Sequence, residues 1–152
     1  MQVSRHYSRA PITEAIIDLK VTLPEGFSVD DLENIHAHIK LRNLLTLSAG
    51  WNGYDSLAPN PDAVAHAENW IVRLFLEVAD LGRVWIKPNV IADAEGEVVF
   101  EWWHGNKKLT VYIGDDSAEY VQVWGTDRHS EMSDGDAEPI SMCRSLWLWL
   151  TS

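Results

Sequence analysis

The residues that could do chemistry are numerous, but none of them are spaced as in a known catalytic or metal-binding motif. The chain has six histidines and 23 aspartates and glutamates. His36 and His38 are two positions apart in a predicted helix, which turns their side chains about 200° away from each other, so they cannot share a metal ion. His66 and Glu68 have the same unsuitable spacing. With no HExxH, CxxC or P-loop sequence present, we predict no catalytic residue, no metal and no cofactor.

The single cysteine, Cys143, is predicted to be a buried and unreactive thiol. It lies on the apolar face of a predicted helix, and no base is near it in the sequence. One thiol cannot form an internal disulfide, which is typical of a reducing compartment. No apolar run has the length of a signal peptide or of a membrane span, so we expect a cytoplasmic protein with no membrane partner.

The stretch GWNGYDSLAPNP, residues 50–61, is the candidate binding site. Its glycines allow unusual backbone angles, its Asn and Asp side chains can bond to the loop backbone, and its rings each carry one polar group. Two interpretations are open. We favour an ordered connector in which Trp51 packs back against the helices or the sheet. The alternative is an aromatic-lined groove for a ligand or peptide, with the binding residues Trp51, Asn52, Tyr54 and Asp55.

An enzymatic interpretation of the same loop is the second class of function. Asp55 would then act with a distant histidine, such as His104, as the base of a small hydrolase or transferase. Such a site would need these groups to meet in a concave pocket with shifted pKa values.

The charge of the chain limits its partners. The net charge is −11 and the isoelectric point is near 4.8. Phosphate contacts require lysine and arginine, so this balance disfavours direct binding to nucleic acid or to an anionic membrane. It favours a protein partner with a basic surface.

The elements that would position these residues follow from the spacing of apolar side chains. Alternation over 17–23 predicts a strand, and a helical period predicts a helix over 29–47. Asn60 and Pro61 are typical of a helix start, and the apolar stripe that follows extends that helix to about Ala79.

The second half of the chain has the period of strands. An extended segment interrupted by Pro88 predicts an edge strand or a bent strand. The segments VVFEWW and KLTVYI are joined by a Gly-Asn hairpin turn. EYVQVW completes a meander of three or four antiparallel strands. The polar segment 125–138 is predicted to be a mobile loop.

The C-terminal segment after Pro139 predicts a helix with two apolar stripes. A helix that is apolar over so wide an arc buries both sides, either deep in its own fold or against another chain. The second case would make a homodimer. The interface would then include Met142, Leu146, Trp147 and Trp149.

We therefore predict one α+β domain over residues 1–152, in which helices pack on one face of an antiparallel β-meander sheet and residues 1–14 are flexible. The residues from 44 to 124, with GWNGY, Asn60-Pro61, VVFEWW and KKLTVYI, resemble a family of small uncharacterised bacterial proteins. The N-terminal segment with PITEAIID resembles another sporadically distributed bacterial family of unknown function. The resemblance implies a mobile or defence-related locus and carries over no catalytic residue.

Together these observations predict a non-enzymatic, acidic, cytosolic binding protein. An inhibitor or an antitoxin-like component is the role that the acidity and the resemblance suggest.

Overall fold

The computed structural model describes residues 37–152 of the chain. The strand predicted over 17–23, the flexible segment 1–14 and the first part of the helix predicted over 29–47 lie outside the described residues. Three helices and five strands occupy the described part. They are α1 (His38–Leu44), α2 (Pro61–Asp80), β1 (Asn89–Ala92), β2 (Val98–His104), β3 (Lys107–Ile113), β4 (Ala118–Val123), β5 (Met132–Asp136) and α3 (Ile140–Leu150).

The five strands form one antiparallel sheet in the order β1-β2-β3-β4-β5. The α+β class and the meander are thus confirmed, and β1 is an edge strand as Pro88 predicts. Gly105, with a φ of 61°, makes the two-residue hairpin turn between the paired residues His104 and Lys107.

The prediction of a mobile loop over 125–138 is wrong, because this segment contains β5. Its pairing with β4 rests on backbone hydrogen bonds, and its exposed residues are Met132, Asp134 and Asp136, so none of its side chains is buried in the core. Gly135 lies opposite Tyr120, whose hydroxyl oxygen is 2.9 Å from where a Cβ at position 135 would stand. This edge strand is held by backbone hydrogen bonds and by the close approach of Tyr120 that a glycine permits. Neither contribution requires apolar residues to alternate along the sequence.

The start of α2 is the one that the sequence predicts. Asn60 accepts a hydrogen bond from the backbone N–H of Asp62 at 2.8 Å, and Pro61 follows at the first helical position. The helix ends at Asp80, shortly before Gly82. The opening residues of α2 are thereby fixed beside the turns at one end of the sheet.

The core lies between one face of the sheet and the helices. Trp70 of α2 stacks on Phe100 with ring centroids 5.8 Å apart, and Trp147 of α3 meets Trp102 edge-on at 5.7 Å. All four rings are buried. Burying one ring of this size contributes about 2–3 kcal/mol, so these contacts fix both helices on the sheet.

Helix α3 buries four of its apolar residues, Cys143, Leu146, Trp147 and Leu150, inside its own chain. Trp147 is 0% exposed and Leu146 belongs to the same core, while Met142 and Trp149 pack against that core. The reason is that α3 contacts α2 on one side and β3 on another. Leu146 and Trp147 therefore have no surface to offer a second copy, which corrects the predicted homodimer interface at these two residues. Met142 and Trp149 are half-buried, and a homodimer through this helix stays a prediction.

Candidate binding surface

The loop over residues 50–57 folds around its own backbone hydrogen bonds. The N–H of Gly50 donates to the carbonyl of Ser56 at 2.7 Å, and the N–H of Gly53 donates to the carbonyl of Gly50 at 2.9 Å. Gly50 and Gly53 have φ values of 80° and 84°, which few other residues adopt without strain. The loop is therefore a closed turn, with its two ends joined by backbone hydrogen bonds.

Polar side chains add two more bonds inside this loop. The side-chain oxygen of Asn52 accepts from the N–H of Tyr54 at 2.9 Å, and the hydroxyl of Ser56 accepts from the N–H of Asn52 at 3.3 Å. The predicted role of Asn52 in binding the loop backbone is thus confirmed. Asp55 is exposed, whereas Ser56, which no sequence pattern marks as a site residue, is buried.

The aromatic rings of the loop are on the outside of the protein. Tyr54 is 83% exposed and Trp51 is 36% exposed, with the exposed Leu57 close by. The prediction that Trp51 packs against the helices or the sheet is wrong. Its indole N–H donates to the carbonyl of Leu57 at 3.0 Å, so the loop itself satisfies this polar group and no burial is required.

The loop is attached to the β1–β2 turn, residues 93–97. The N–H of Leu57 donates to the carbonyl of Ala94 at 2.8 Å, and the N–H of Asn60 donates to the carbonyl of Gly96 at 2.9 Å. A Cβ on Gly96 would stand 2.7 Å from the carbonyl oxygen of Ala58, so only glycine permits this approach. The loop that carries the exposed rings is consequently held directly beside the β1–β2 turn.

Carboxylates dominate this end of the sheet, where the β1–β2 turn, the β3–β4 turn and the end of β5 lie side by side. Neither 88–106 nor 109–127 contains a lysine or an arginine. An open cleft of about 410 Å³ separates the two turns, and one of about 740 Å³ lies between the β3–β4 turn and β5. The carboxylates are Asp93, Glu95, Glu97, Asp115, Asp116, Glu119, Asp134, Asp136 and Glu138. We call these carboxylates together with residues 50–57 the acid–aromatic surface.

Glu97 shows how crowded these charges are. Burial, together with a hydrogen bond to Asp93 and the charges of nearby carboxylates, raises the pKa of Glu97 to about 7. Asp93 in turn accepts the backbone N–H groups of Glu95 at 3.1 Å and Glu97 at 2.8 Å. A positive group placed here would relieve repulsion that the protein itself leaves in place.

His66 lies at the base of this surface but is fully occupied. Its Nδ1 is 2.8 Å from the carbonyl oxygen of Gly114, and its Nε2 contacts the carboxylate of Glu138. Arg73 donates to the other oxygen of Glu138 at 3.2 Å. With both ring nitrogens engaged, His66 ties α2 to the β3–β4 turn and to the start of α3. No spacing in the sequence indicates this cluster, because its members are far apart along the chain.

No protein-family model, curated protein or solved structure matches this chain. The resemblance to two bacterial families therefore stays a prediction, and the function has to be argued from the surface itself.

Two further titratable groups are turned away from the surface. Glu68 is 1% exposed, neither of its carboxylate oxygens has a hydrogen-bond partner among the described residues, and burial raises its pKa to about 7. Burial also raises the pKa of the Cys143 thiol to about 11, and Cys143 lies in the core. A thiol with so high a pKa is a poor nucleophile at neutral pH.

The residues named for an enzymatic site do not come together. The loop that carries Asp55 is bonded to the β1–β2 turn, whereas His104 ends β2 at the opposite end of the sheet. A strand of this length separates its ends by roughly 20 Å. Within residues 37–152 there is no group of three or more His, Cys, Asp or Glu side chains arranged to hold a metal ion. In the same range, no helix is long and apolar enough to cross a membrane.

Proposed function

We propose that this protein is a non-enzymatic binding protein that engages a positively charged segment of another protein through the acid–aromatic surface. The observation that carries this proposal is the attachment of the exposed rings of residues 50–57 to the acidic β1–β2 turn. This attachment supports a binding surface in which apolar contact area lies next to negative charge.

The charge supports a basic partner. Among the carboxylates of this surface, Glu138 is paired with Arg73, but the turns themselves have no lysine or arginine in their sequences. Complementary charge raises the rate of association and rejects acidic competitors. The net charge of −11 gives the whole molecule a negative electrostatic potential, which attracts positively charged partners.

The rings support a protein partner over a small ion. Tyrosine and tryptophan are enriched in protein interfaces and among the few residues there whose truncation costs the most binding free energy. An inhibitor or antitoxin-like protein that covers a basic site on its target would use a surface of this kind. No contact among the described residues favours the enzymatic alternative.

The test is binding of a fluorescent, lysine- and arginine-rich peptide, followed by anisotropy. We expect Glu95→Lys, in the exposed β1–β2 turn, to weaken binding roughly tenfold, which corresponds to about 1.4 kcal/mol. The matched control is Asp80→Lys, which makes the same charge change at the far end of α2. Raising the ionic strength from about 0.1 M to about 1 M shortens the screening length from about 10 Å to about 3 Å and should release the peptide. Equal losses in the two variants would mean that net charge alone attracts the peptide.

A further inference from the structure

We propose that the partner presents an arginine whose guanidinium group stacks on Trp51 or Tyr54. This inference rests on the proposed function and names the side chain that the acid–aromatic surface selects.

The first step is that neither ring has a lysine or arginine over it within residues 37–152, the part of the chain that the structure describes. Other accessible tryptophans of the chain do: Lys108 lies over Trp103 at 4.9 Å from the ring centroid, and Lys107 lies over Trp149 at 5.6 Å. Among the described residues, no lysine or arginine lies over Trp51 or Tyr54. The segment 43–72 that surrounds them contains neither residue type. The rings are therefore open to a cation from outside.

The second step is that hydrogen bonds fix the position of the Trp51 ring before a partner binds. Its indole N–H already donates to Leu57, so what remains for a partner is the aromatic ring and not the hydrogen-bond donor. The hydrogen bonds inside residues 50–57 fix the loop before binding. A fixed aromatic face loses little conformational entropy when a planar group stacks on it.

The third step distinguishes arginine from lysine. Asp55 follows Tyr54 directly, and Glu95 follows Ala94, which is bonded to the loop. A guanidinium group can stack on a ring with its face while its in-plane N–H groups donate to carboxylates beside the ring. A lysine ammonium is a compact, strongly hydrated charge and lacks the flat face that this arrangement uses.

The experiment compares two synthetic peptides of identical length that carry either arginine or lysine at the same positions. Binding is measured to the wild-type full chain and to Tyr54→Leu, Trp51→Leu and Trp103→Leu. Tyr54→Leu removes an 83% exposed ring and leaves the hydrogen bonds of the loop in place. Trp103→Leu is the matched control, because Trp103 is exposed but already lies against Lys108.

We expect the arginine peptide to bind wild type roughly threefold to tenfold more tightly than the lysine peptide. Tyr54→Leu or Trp51→Leu should remove that preference, and Trp103→Leu should keep it. Equal affinity of both peptides for wild type would overturn this inference and leave the proposed function standing. A preference that survives both loop variants would overturn it as well. Failure of both peptides to bind would overturn the proposed function itself.

Discussion

The indole N–H of Trp70 donates to the carbonyl oxygen of Ala137 at 2.9 Å and so connects the middle of α2 to the residue that follows β5. The N–H of Ala137 in turn donates to the carbonyl of Ala118 at 2.8 Å. Helix α2, the edge strand β5 and its neighbour β4 are thus joined at the buried residue Ala137. This bond holds β5, the strand least evident from the sequence, in its place.

Replacement of Trp70 by phenylalanine should lower the free energy of unfolding by about 1–3 kcal/mol. Phenylalanine keeps an apolar ring against Phe100 but removes the indole donor to the buried carbonyl of Ala137. Among the described residues, that carbonyl keeps only the weak thiol donor of Cys143 at 3.3 Å, and weakening a buried hydrogen bond in this way has a cost of this size. Denaturant unfolding measures the change. The control is Trp103→Phe on the exposed face of the sheet, which should change stability by less than about 0.5 kcal/mol. Equal effects of the two substitutions would show that the hydrogen bond contributes nothing.

The parts of the fold that sequence reasoning predicts are those in which apolar side chains mark a period. Helix α2 has an apolar stripe and a capped start at Asn60, and β2 and β3 alternate around a glycine turn. Strand β5 is not predicted from the sequence, because its pairing is made by backbone groups and by the contact of Gly135 with the ring of Tyr120. Neither contribution depends on hydrophobicity.

The candidate site was predictable only in its residue types. The loop with Trp51 and Tyr54 stands out in the sequence, but nothing in the sequence indicates that its rings are exposed or that the indole N–H of Trp51 donates to Leu57. The acidic turns lie side by side only because the strands form a meander in sequence order. Composition predicts the net charge, but only the register of the strands decides where that charge collects.

Replacement of Glu68 by glutamine should stabilise the protein at neutral and alkaline pH. Burial raises the pKa of Glu68 from 4.5 to about 7, so the folded state favours the protonated form and wild-type stability falls as the pH rises from 4.5 to about 7. Above that range Glu68→Gln should gain up to about 3 kcal/mol, and below pH 4.5 the two proteins should be alike. Unfolding curves across this range give the measurement.

The matched control for this substitution is Glu77→Gln on the same helix. Glu77 is partly exposed and accepts a hydrogen bond from Arg144 at 2.8 Å, so this substitution removes a carboxyl of α2 that is not buried. Only the loss of the buried carboxyl of Glu68 should abolish the fall in stability between pH 4.5 and about 7. An unchanged slope in Glu68→Gln would show that the buried carboxyl does not govern the pH dependence.

Binding of a cationic peptide without histidine should strengthen as the pH rises through 7. The pKa of Glu97 is raised to about 7, so this carboxyl gains its negative charge in that range and adds to the acid–aromatic surface. We expect affinity to rise roughly twofold to threefold across the transition, and Glu97→Gln to flatten the rise. Asp80→Asn, at the far end of α2, should keep it. The same slope in Glu97→Gln as in wild type would exclude Glu97 from the peptide contact.

Two glycines with the same backbone angle allow the attachment of the loop to be tested. Gly96 and Gly53 both have a φ of 84°, so alanine at either position is strained by a similar amount, about 1 kcal/mol. Only at Gly96 would the new Cβ meet a neighbour, the carbonyl of Ala58 at 2.7 Å, whereas nothing lies within 4 Å at Gly53. Gly96→Ala should therefore push the loop away from the β1–β2 turn and weaken the bond from Asn60 to residue 96.

We expect Gly96→Ala to lose about 1–2 kcal/mol more stability than Gly53→Ala, since backbone atoms cannot move aside as a flexible side chain can. It should also weaken binding of the cationic peptide, because the rings and the carboxylates would no longer share one face. Denaturant unfolding and fluorescence anisotropy measure the two effects on the same protein samples. If Gly96→Ala lost stability and bound the peptide as tightly as wild type, the rings and the acidic turn would be acting separately, and the acid–aromatic surface would not be a single binding site.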